Sequence, residues 1–153
     1  MKRGKILLIV RHGPSIHAVF KIILNAGRLR LVAKVKDTIG ENCECEVFAA
    51  PEWDTRATGK DIAELVEAEL VIDKSLSDDD DAPAPTDLVA KALGNDKFSI
   101  FTSHFRRMNA IIDAIESVSG TTIEIDRERM RHLNRAYLVD LANRRAYVIK
   151  EKS

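Results

Sequence analysis

Apolar residues along this chain fall into short unbroken runs that alternate with longer stretches of helical spacing. The first run, Ile6–Val10, is continuously apolar, which is typical of a strand covered on both faces of a sheet. Further short runs predict strands at Glu46–Ala50, Leu70–Ile72, Phe98–Thr102 and 121–125. The final apolar positions, within 135–150, predict a hairpin that turns near Asn143.

Helical spacing fills most of the intervals between these strands. Residues 16–39 show it with a break at 25–28, which predicts one broken helix or two helices. Three later helices are predicted: one containing Ile62, Leu65 and Val66, one over Asp87–Leu93 ended by Gly94, and one over Asn109–Val118 ended by Gly120. The polar segment 73–87, which holds four consecutive aspartates, predicts a loop. Alternating strands and helices predict an α/β protein, a three-layer α/β/α sandwich with a mostly parallel central sheet and a C-terminal antiparallel hairpin.

Composition narrows the class of protein without changing this picture. The 153 residues suit a single domain over 1–153. The 24 basic and 24 acidic residues cancel, so bulk charge does not favour a nucleic-acid partner. The first apolar run is too short for a signal peptide or a membrane span, and we therefore expect a cytoplasmic protein without a membrane partner.

The two cysteines do not indicate a structural or metal-binding role. Cys43 and Cys45 are too close in sequence for an ordinary structural disulfide. A metal site would need more Cys or His at ligand spacing. The sequence therefore predicts no metal and no cofactor.

Two predicted strands end in the same kind of polar residue. The first strand runs into Arg11 and His12, and the strand at Phe98–Thr102 runs into Ser103 and His104. Ligands of open α/β sheets bind outside the carboxyl ends of the strands. If the two strands are neighbours, two imidazoles and a guanidinium converge at one edge, where Gly13 lets the backbone come close.

Such a cluster has a specific chemical use. A neutral imidazole is a good nucleophile near neutral pH, and the planar guanidinium of arginine binds phosphate oxygens in pairs. Cations around a histidine nucleophile would offset the charge on the equatorial oxygens of a phosphoryl group in transfer. The two strand ends therefore favour phosphoryl transfer.

At these residues the chain resembles the histidine phosphatase superfamily, also called phosphoglycerate mutase-like. The segment VRHG at 10–13 is similar to the family signature. FAAPEWDTRATGKDIAE at 48–64 resembles the second family block, and FTSHFRRMNAIIDAI at 101–115 resembles the block with the second histidine. LNRAYLVDL at 133–141 resembles the late strand, with Asn134 before it. The short length is most like the SixA type, which removes phosphate from phosphohistidine on signalling proteins.

The resemblance implies roles for individual residues. His12 matches the nucleophile that forms a phosphohistidine, Arg11 the phosphate-binding arginine, and His104 the second histidine at the phosphoryl group. Asp78 lies where many members place the acid that protonates the leaving group. The implied substrate-binding residues are Gly13, Ser15, His17, Arg106, Arg107 and Asn134.

The chain also departs from the family pattern. Pro14 stands where the family has an acidic residue, and Ala18, beside His17, replaces a phosphate-contacting asparagine. The second family arginine aligns on Asp54, so Arg56 is the nearest candidate to supply that guanidinium, with Arg106 and Arg107 as substitutes.

Two hypotheses follow from these residues. The first is a metal-independent phosphatase that acts on a small phosphoester or on a protein phosphohistidine. The second is a degenerate member that binds phosphate or a phosphoprotein without turnover. Arg56 in the pocket is required by the first hypothesis, whereas the second predicts that it points away.

Overall fold

The computed structural model describes residues 6–11, 44–94, 97–125, 136–141 and 143–149, and of residues 6–11 it describes the backbone. The described residues contain six strands: β1 Ile6–Arg11, β2 Cys45–Ala49, β3 Leu70–Ile72, β4 Phe98–Ser103, β5 Ala136–Asp140 and β6 Arg145–Ile149. The same part of the chain contains three helices: α1 Trp53–Leu65, α2 Thr86–Leu93 and α3 Phe105–Ser119. A single 3-10 turn, Lys74–Leu76, interrupts the predicted loop between β3 and α2.

All six strands belong to one sheet, in the order β3-β2-β4-β1-β5-β6. Strands β3, β2, β4 and β1 are parallel to one another. Strand β5 runs antiparallel to β1, and β6 pairs antiparallel with β5. The mostly parallel sheet and the C-terminal antiparallel hairpin predicted from the sequence are therefore confirmed.

Successive residues of the central strands alternate between two apolar layers, as the period of a strand requires. Val47 and Ile100 pack with Ile62 of α1 on one face of the sheet. Phe48 and Phe101 face the opposite layer. There they pack with residues of α2 and α3: Leu88, Val89, Met108, Ile111 and Ile115. Helices thus cover both faces, which is the predicted three-layer arrangement.

Helix α1 lies unusually close to the sheet at Gly59. A Cβ atom at this position would come within 2.9 Å of both the Ala49 Cβ and the Leu70 Cδ1, and within 3.2 Å of the Thr102 Oγ1. Real Cβ atoms do not approach neighbours to 2.9 Å. Only glycine fits here without a shift of the helix. This close contact therefore sets the distance between α1 and strands β2, β3 and β4.

Two predicted elements differ from the structure. The segment 121–125 is not a strand, because its pairing is limited to an isolated bridge between Glu124 and Arg145. Its alternation of polar and apolar residues reflects Ile123, whose side chain is buried in the apolar layer on the α2–α3 side of the sheet. Helix α3 begins at Phe105, four residues before the predicted Asn109, and the earlier first turn adds the buried Met108 to the apolar face. The helical prediction for residues 16–39 lies outside the described residues.

None of the helices that the structure describes is long and apolar enough to cross a membrane.

Candidate functional site at the carboxyl edge of the sheet

The two strand ends that the sequence singled out are adjacent. Strand β1 pairs directly with β4, and Arg11 lies opposite Ser103 in the register. His104 follows Ser103 and occupies the N-cap position of α3. His12 lies outside the described residues, so the meeting of its ring with that of His104 stays a prediction. The neighbouring strands on which that prediction depended are confirmed.

A third strand end contributes a carboxylate that was not among the predicted site residues. Glu52 follows β2 and is the N-cap residue of α1, in an extended backbone conformation. The buried Thr55 fixes this turn, because its hydroxyl donates to the carbonyl of Ala50 at 3.0 Å and to that of Glu52 at 2.9 Å. The carbonyl of Thr55 in turn accepts a bond from Thr102 on β4 at 3.2 Å. The backbone of Glu52 is therefore anchored to the sheet through two threonines.

The side chain of Glu52 turns away from its own helix and contacts His104. Its Oε1 lies 3.0 Å from the His104 Nε2. The same oxygen accepts the amide hydrogen of Asp78 at 3.1 Å. The other oxygen, Oε2, accepts the hydroxyl of Ser77 at 2.9 Å. An ionised carboxylate only accepts hydrogen bonds, so in that state the Nε2 of His104 carries the proton.

This contact between Glu52 and His104 lies near the surface of the edge. The side chain of His104 is 16% exposed and that of Glu52 is 33% exposed. A solvent-borne group therefore has access to both side chains. Pairs of this exposure contribute little to the free energy of unfolding, on the order of 1 kcal/mol or less. The pair is better understood as a feature of the site than as a source of stability.

The loop that follows β3 is tied to the same edge. The hydroxyl of Ser103 donates to the carbonyl of Leu76 at 2.6 Å. The guanidinium of Arg107, from the first turn of α3, donates to the carbonyls of Ser75 at 2.8 Å, Ala82 at 3.5 Å and Pro83. These bonds hold Ser77 and Asp78 against Glu52, so Arg107 is engaged with the loop in this structure.

The predicted cation of the second block, Arg56, lies in the first turn of α1. Arg56 is exposed to solvent, and its amide donates to the carbonyl of Glu52 at 3.0 Å. Asp54 is half-buried, and its Oδ1 accepts the amide of Thr55 at 3.0 Å. Arg56 as a phosphate ligand stays a prediction. For Arg106 the structure gives the backbone position within α3.

The remaining predicted site residues divide into two groups. Asp78 is half-buried beside Glu52, and its proposed role as the acid stays a prediction. The other predicted residues lie outside the described part of the chain: His12, Gly13, Ser15, His17 and Asn134. Among the residues that the structure does describe, no group of three or more His, Cys, Asp or Glu side chains could hold a metal ion.

The signal that would have found Glu52 was present in the sequence. The rule that selected His12 and His104 takes the residues just after a strand at the carboxyl edge. Glu52 follows the predicted strand Glu46–Ala50 by two positions, so the same rule includes it. The family pattern instead drew attention to the neighbouring Asp54 and Arg56.

Comparison with known proteins places this geometry in a wider context. No protein-family model and no curated protein sequence matches the chain. Phosphoglycerate mutase from Plasmodium falciparum matches its structure with a TM-score of 0.58 at 14% identity, over 97% of this chain and 91% of that one. The protein histidine phosphatase SixA complexed with tungstate matches with a TM-score of 0.58 at 12% identity, over 95% and 97%.

A third solved structure extends the range of activities among the similar proteins. A mutant phosphoserine phosphatase from Entamoeba histolytica, in complex with phosphoserine, matches with a TM-score of 0.55 at 8% identity, over 95% of each chain. At such identities the likeness establishes the fold. The chain therefore has the phosphoglycerate mutase-like fold of the histidine phosphatases, as the resemblance at its strand ends predicted.

Proposed function

We propose that this protein is a metal-independent phosphatase that works through a phosphohistidine intermediate on a small phosphoester or a protein phosphohistidine. The observation that carries the proposal is the register of β1 against β4, with Arg11 opposite Ser103. It makes His12 and His104 the next residues along two adjacent strands. The names of the structural neighbours, which include a histidine phosphatase and a phosphoserine phosphatase, support the same class of reaction.

The proposed reaction has two steps. A ring nitrogen of His12 attacks phosphorus, the bond from phosphorus to the leaving group breaks, and a phosphohistidine forms. Arg11 and His104 offset the negative charge on the equatorial oxygens. Water then attacks phosphorus and breaks its bond to nitrogen, which releases inorganic phosphate and restores His12.

The degenerate alternative also has support from a specific observation. The Nε2 of His104 already contacts an internal carboxylate. Arg56 is exposed, while the half-buried residue in the first turn of α1 is the acidic Asp54. Under this alternative the edge binds phosphate or a phosphorylated partner and does not turn it over.

Hydrolysis of p-nitrophenyl phosphate, with and without a chelator, tests the proposal. We expect slow hydrolysis that the chelator leaves unchanged, and no hydrolysis by His12→Ala. Wild-type activity in His12→Ala would overturn His12 as the nucleophile. Acid-labile phosphate on the wild-type chain, absent from His12→Ala, would identify the intermediate directly.

Arg56 separates the active from the degenerate hypothesis. Removing one preorganised donor from a transferring phosphoryl group costs about a hundredfold to a thousandfold in rate. We expect Arg56→Ala to lose turnover by that factor. Lys60→Ala, which removes another exposed cation from α1, serves as the matched control and should be unchanged. The degenerate hypothesis gains if no substrate is turned over while tungstate still changes the fluorescence of Trp53, the only tryptophan.

A further inference from the structure

We infer that Glu52, rather than Asp78, is the acid that protonates the leaving group, and that the site therefore favours alkyl phosphomonoesters over phosphohistidine. This inference rests on the proposed function and names the substrate class of the same site. It starts from the contact of the Glu52 carboxylate with the Nε2 of His104 at 3.0 Å.

The first step concerns position. A catalytic acid must lie within hydrogen-bond reach of the group it protonates. The ring of His104 is the described side chain that the proposed reaction places against the phosphoryl group. A carboxyl group at 3.0 Å from that ring nitrogen lies at the distance where a phosphoryl oxygen would sit. Glu52 is therefore beside the position that the proposed reaction gives to the phosphoryl group.

The second step concerns charge. A phosphoryl group that reaches the Nε2 of His104 brings its own negative charge next to Glu52. Two neighbouring anions disfavour each other, and the pair is relieved when the carboxylate takes up a proton. A protonated Glu52 no longer competes for the ring nitrogen, and its O–H can donate to an oxygen of the substrate. Substrate binding thus produces the form of Glu52 that an acid catalyst requires.

The third step is the transfer itself. As His12 attacks phosphorus, the bond between phosphorus and the ester oxygen breaks, and the proton of Glu52 moves to that oxygen. The products are a free alcohol, a phosphohistidine and an ionised Glu52. When water hydrolyses the phosphohistidine, Glu52 takes a proton from the attacking water as the bond between phosphorus and the nitrogen of His12 breaks. Phosphate then leaves, and Glu52 releases this proton to solvent as it renews its contact with the Nε2 of His104.

The contacts favour Glu52 over Asp78 for this role. The carboxylate of Glu52 contacts His104, and the backbone amide of Asp78 donates to that carboxylate. The amide of Asp78 and the hydroxyl of Ser77 also hold both oxygens of Glu52 at the edge. Glu52 is in addition anchored at its backbone through Thr55. These bonds preorganise the carboxylate, which a proton donor in transfer needs.

The substrate class follows from the leaving group. An alkoxide is a poor leaving group and gains much from a proton, whereas p-nitrophenolate and imidazole need little help. General acid catalysis typically contributes about a hundredfold to ten-thousandfold. An acid at the site would be of use mainly for alkyl phosphomonoesters, so we assign that class to the edge formed by Glu52 and His104.

A comparison of two substrates tests this assignment. β-Glycerophosphate has an alkyl leaving group, and p-nitrophenyl phosphate has one that needs no proton. For Glu52→Gln we expect kcat on β-glycerophosphate to fall by about a hundredfold or more. On p-nitrophenyl phosphate we expect a loss of less than about tenfold, because the attack by His12 is intact. A merely structural role would lower both rates by the same factor.

Matched variants complete the experiment. Glu64→Gln changes an exposed glutamate of the same helix and should leave both rates unchanged. Glu52→Asp keeps the carboxyl group and should retain the preference between substrates if Glu52→Gln fails to fold. Equal losses on both substrates, or a selective loss in Asp78→Asn instead, would overturn the inference while the proposed function stands. If the wild-type protein turns over neither substrate, the inference and the proposed function are both overturned.

Discussion

The two faces of the sheet are packed by different means. On the α2–α3 face the buried layer contains large side chains, with the rings of Phe48 and Phe101 5.6 Å apart between centroids. On the α1 face Gly59 leaves no room for even a methyl group between helix and sheet. Apolar volume fills one face, whereas close backbone approach defines the other.

Because of this difference, we expect the α2–α3 face to contribute most of the stability and the α1 face to set the geometry of the site. Large buried side chains contribute most of the apolar area and hence most of the hydrophobic free energy. A helix held close by glycine and by buried threonine hydroxyls gains less hydrophobic free energy from burial. The position of its first turn, however, is tightly constrained. The carboxylate of Glu52 extends from that first turn to His104. We therefore expect changes on the two faces to affect different properties of the protein.

The largest effect should come from the removal of volume on the α2–α3 face. Phe101 is fully buried, and Phe101→Ala is expected to lower the free energy of unfolding by about 3–5 kcal/mol. Val71→Ala, at a 41% exposed position of β3, is the control and should cost less than about 1 kcal/mol. Urea denaturation measures both. Similar losses in the two variants would contradict the comparison.

The next effect should come from the addition of volume on the α1 face. Gly59→Ala places a methyl group 2.9 Å from the Ala49 Cβ and should cost about 1–3 kcal/mol through overpacking. The nearest atom to a Cβ at Gly94 is a carbonyl oxygen at 3.3 Å, so Gly94→Ala should change stability less. Thermal unfolding compares the two. A stabilising Gly59→Ala would show that α1 is not held at contact distance.

The smallest effect should come from the loss of one buried hydroxyl on the α1 face. Thr55→Val keeps the shape of the side chain but removes its bonds to the carbonyls of Ala50 and Glu52, at a cost of about 1–2 kcal/mol. Thr58→Val is the matched control, because the carbonyl it loses, that of Asp54, is also an acceptor within the helix. Urea denaturation should give the larger loss for Thr55→Val. The reverse order would refute the role given to Thr55.

Much of the fold could be read from the sequence because continuous apolar runs mark central strands. Strand β3 has the predicted bounds, β4 extends one residue beyond its predicted end, and β2 is shifted by one residue at both ends. The strand predicted at 121–125 was wrong for a physical reason. The alternation of polar and apolar residues around Ile123 reflects the burial of that side chain, and it does not show that a neighbouring strand is there to pair with. Pairing depends on what lies beside a segment, which periodicity does not encode.

The candidate site was predicted less completely for a related reason. His104 could be selected because it follows a conspicuous apolar strand. The carboxylate that contacts it comes from β2 and meets Ser77 and Asp78 from beyond β3. That meeting depends on the spatial order β3-β2-β4, which differs from the order along the chain. Local sequence patterns mark each strand end, that before Glu52 included, but do not indicate which strand ends lie side by side.

The position of β1 has a consequence for the chain while it is being made. This strand is synthesised first but lies between two partners that come much later, with Leu7 opposite Ser99 and Ile6 opposite Asp140. At about 5–20 residues per second, a ribosome needs on the order of five to thirty seconds to supply both partners. Until β4 has been made, the nascent chain carries an apolar strand with no native neighbour, a form open to aggregation and to capture by chaperones. The edge with His104 consequently cannot form before β4 has been synthesised, although β1 is present from the start.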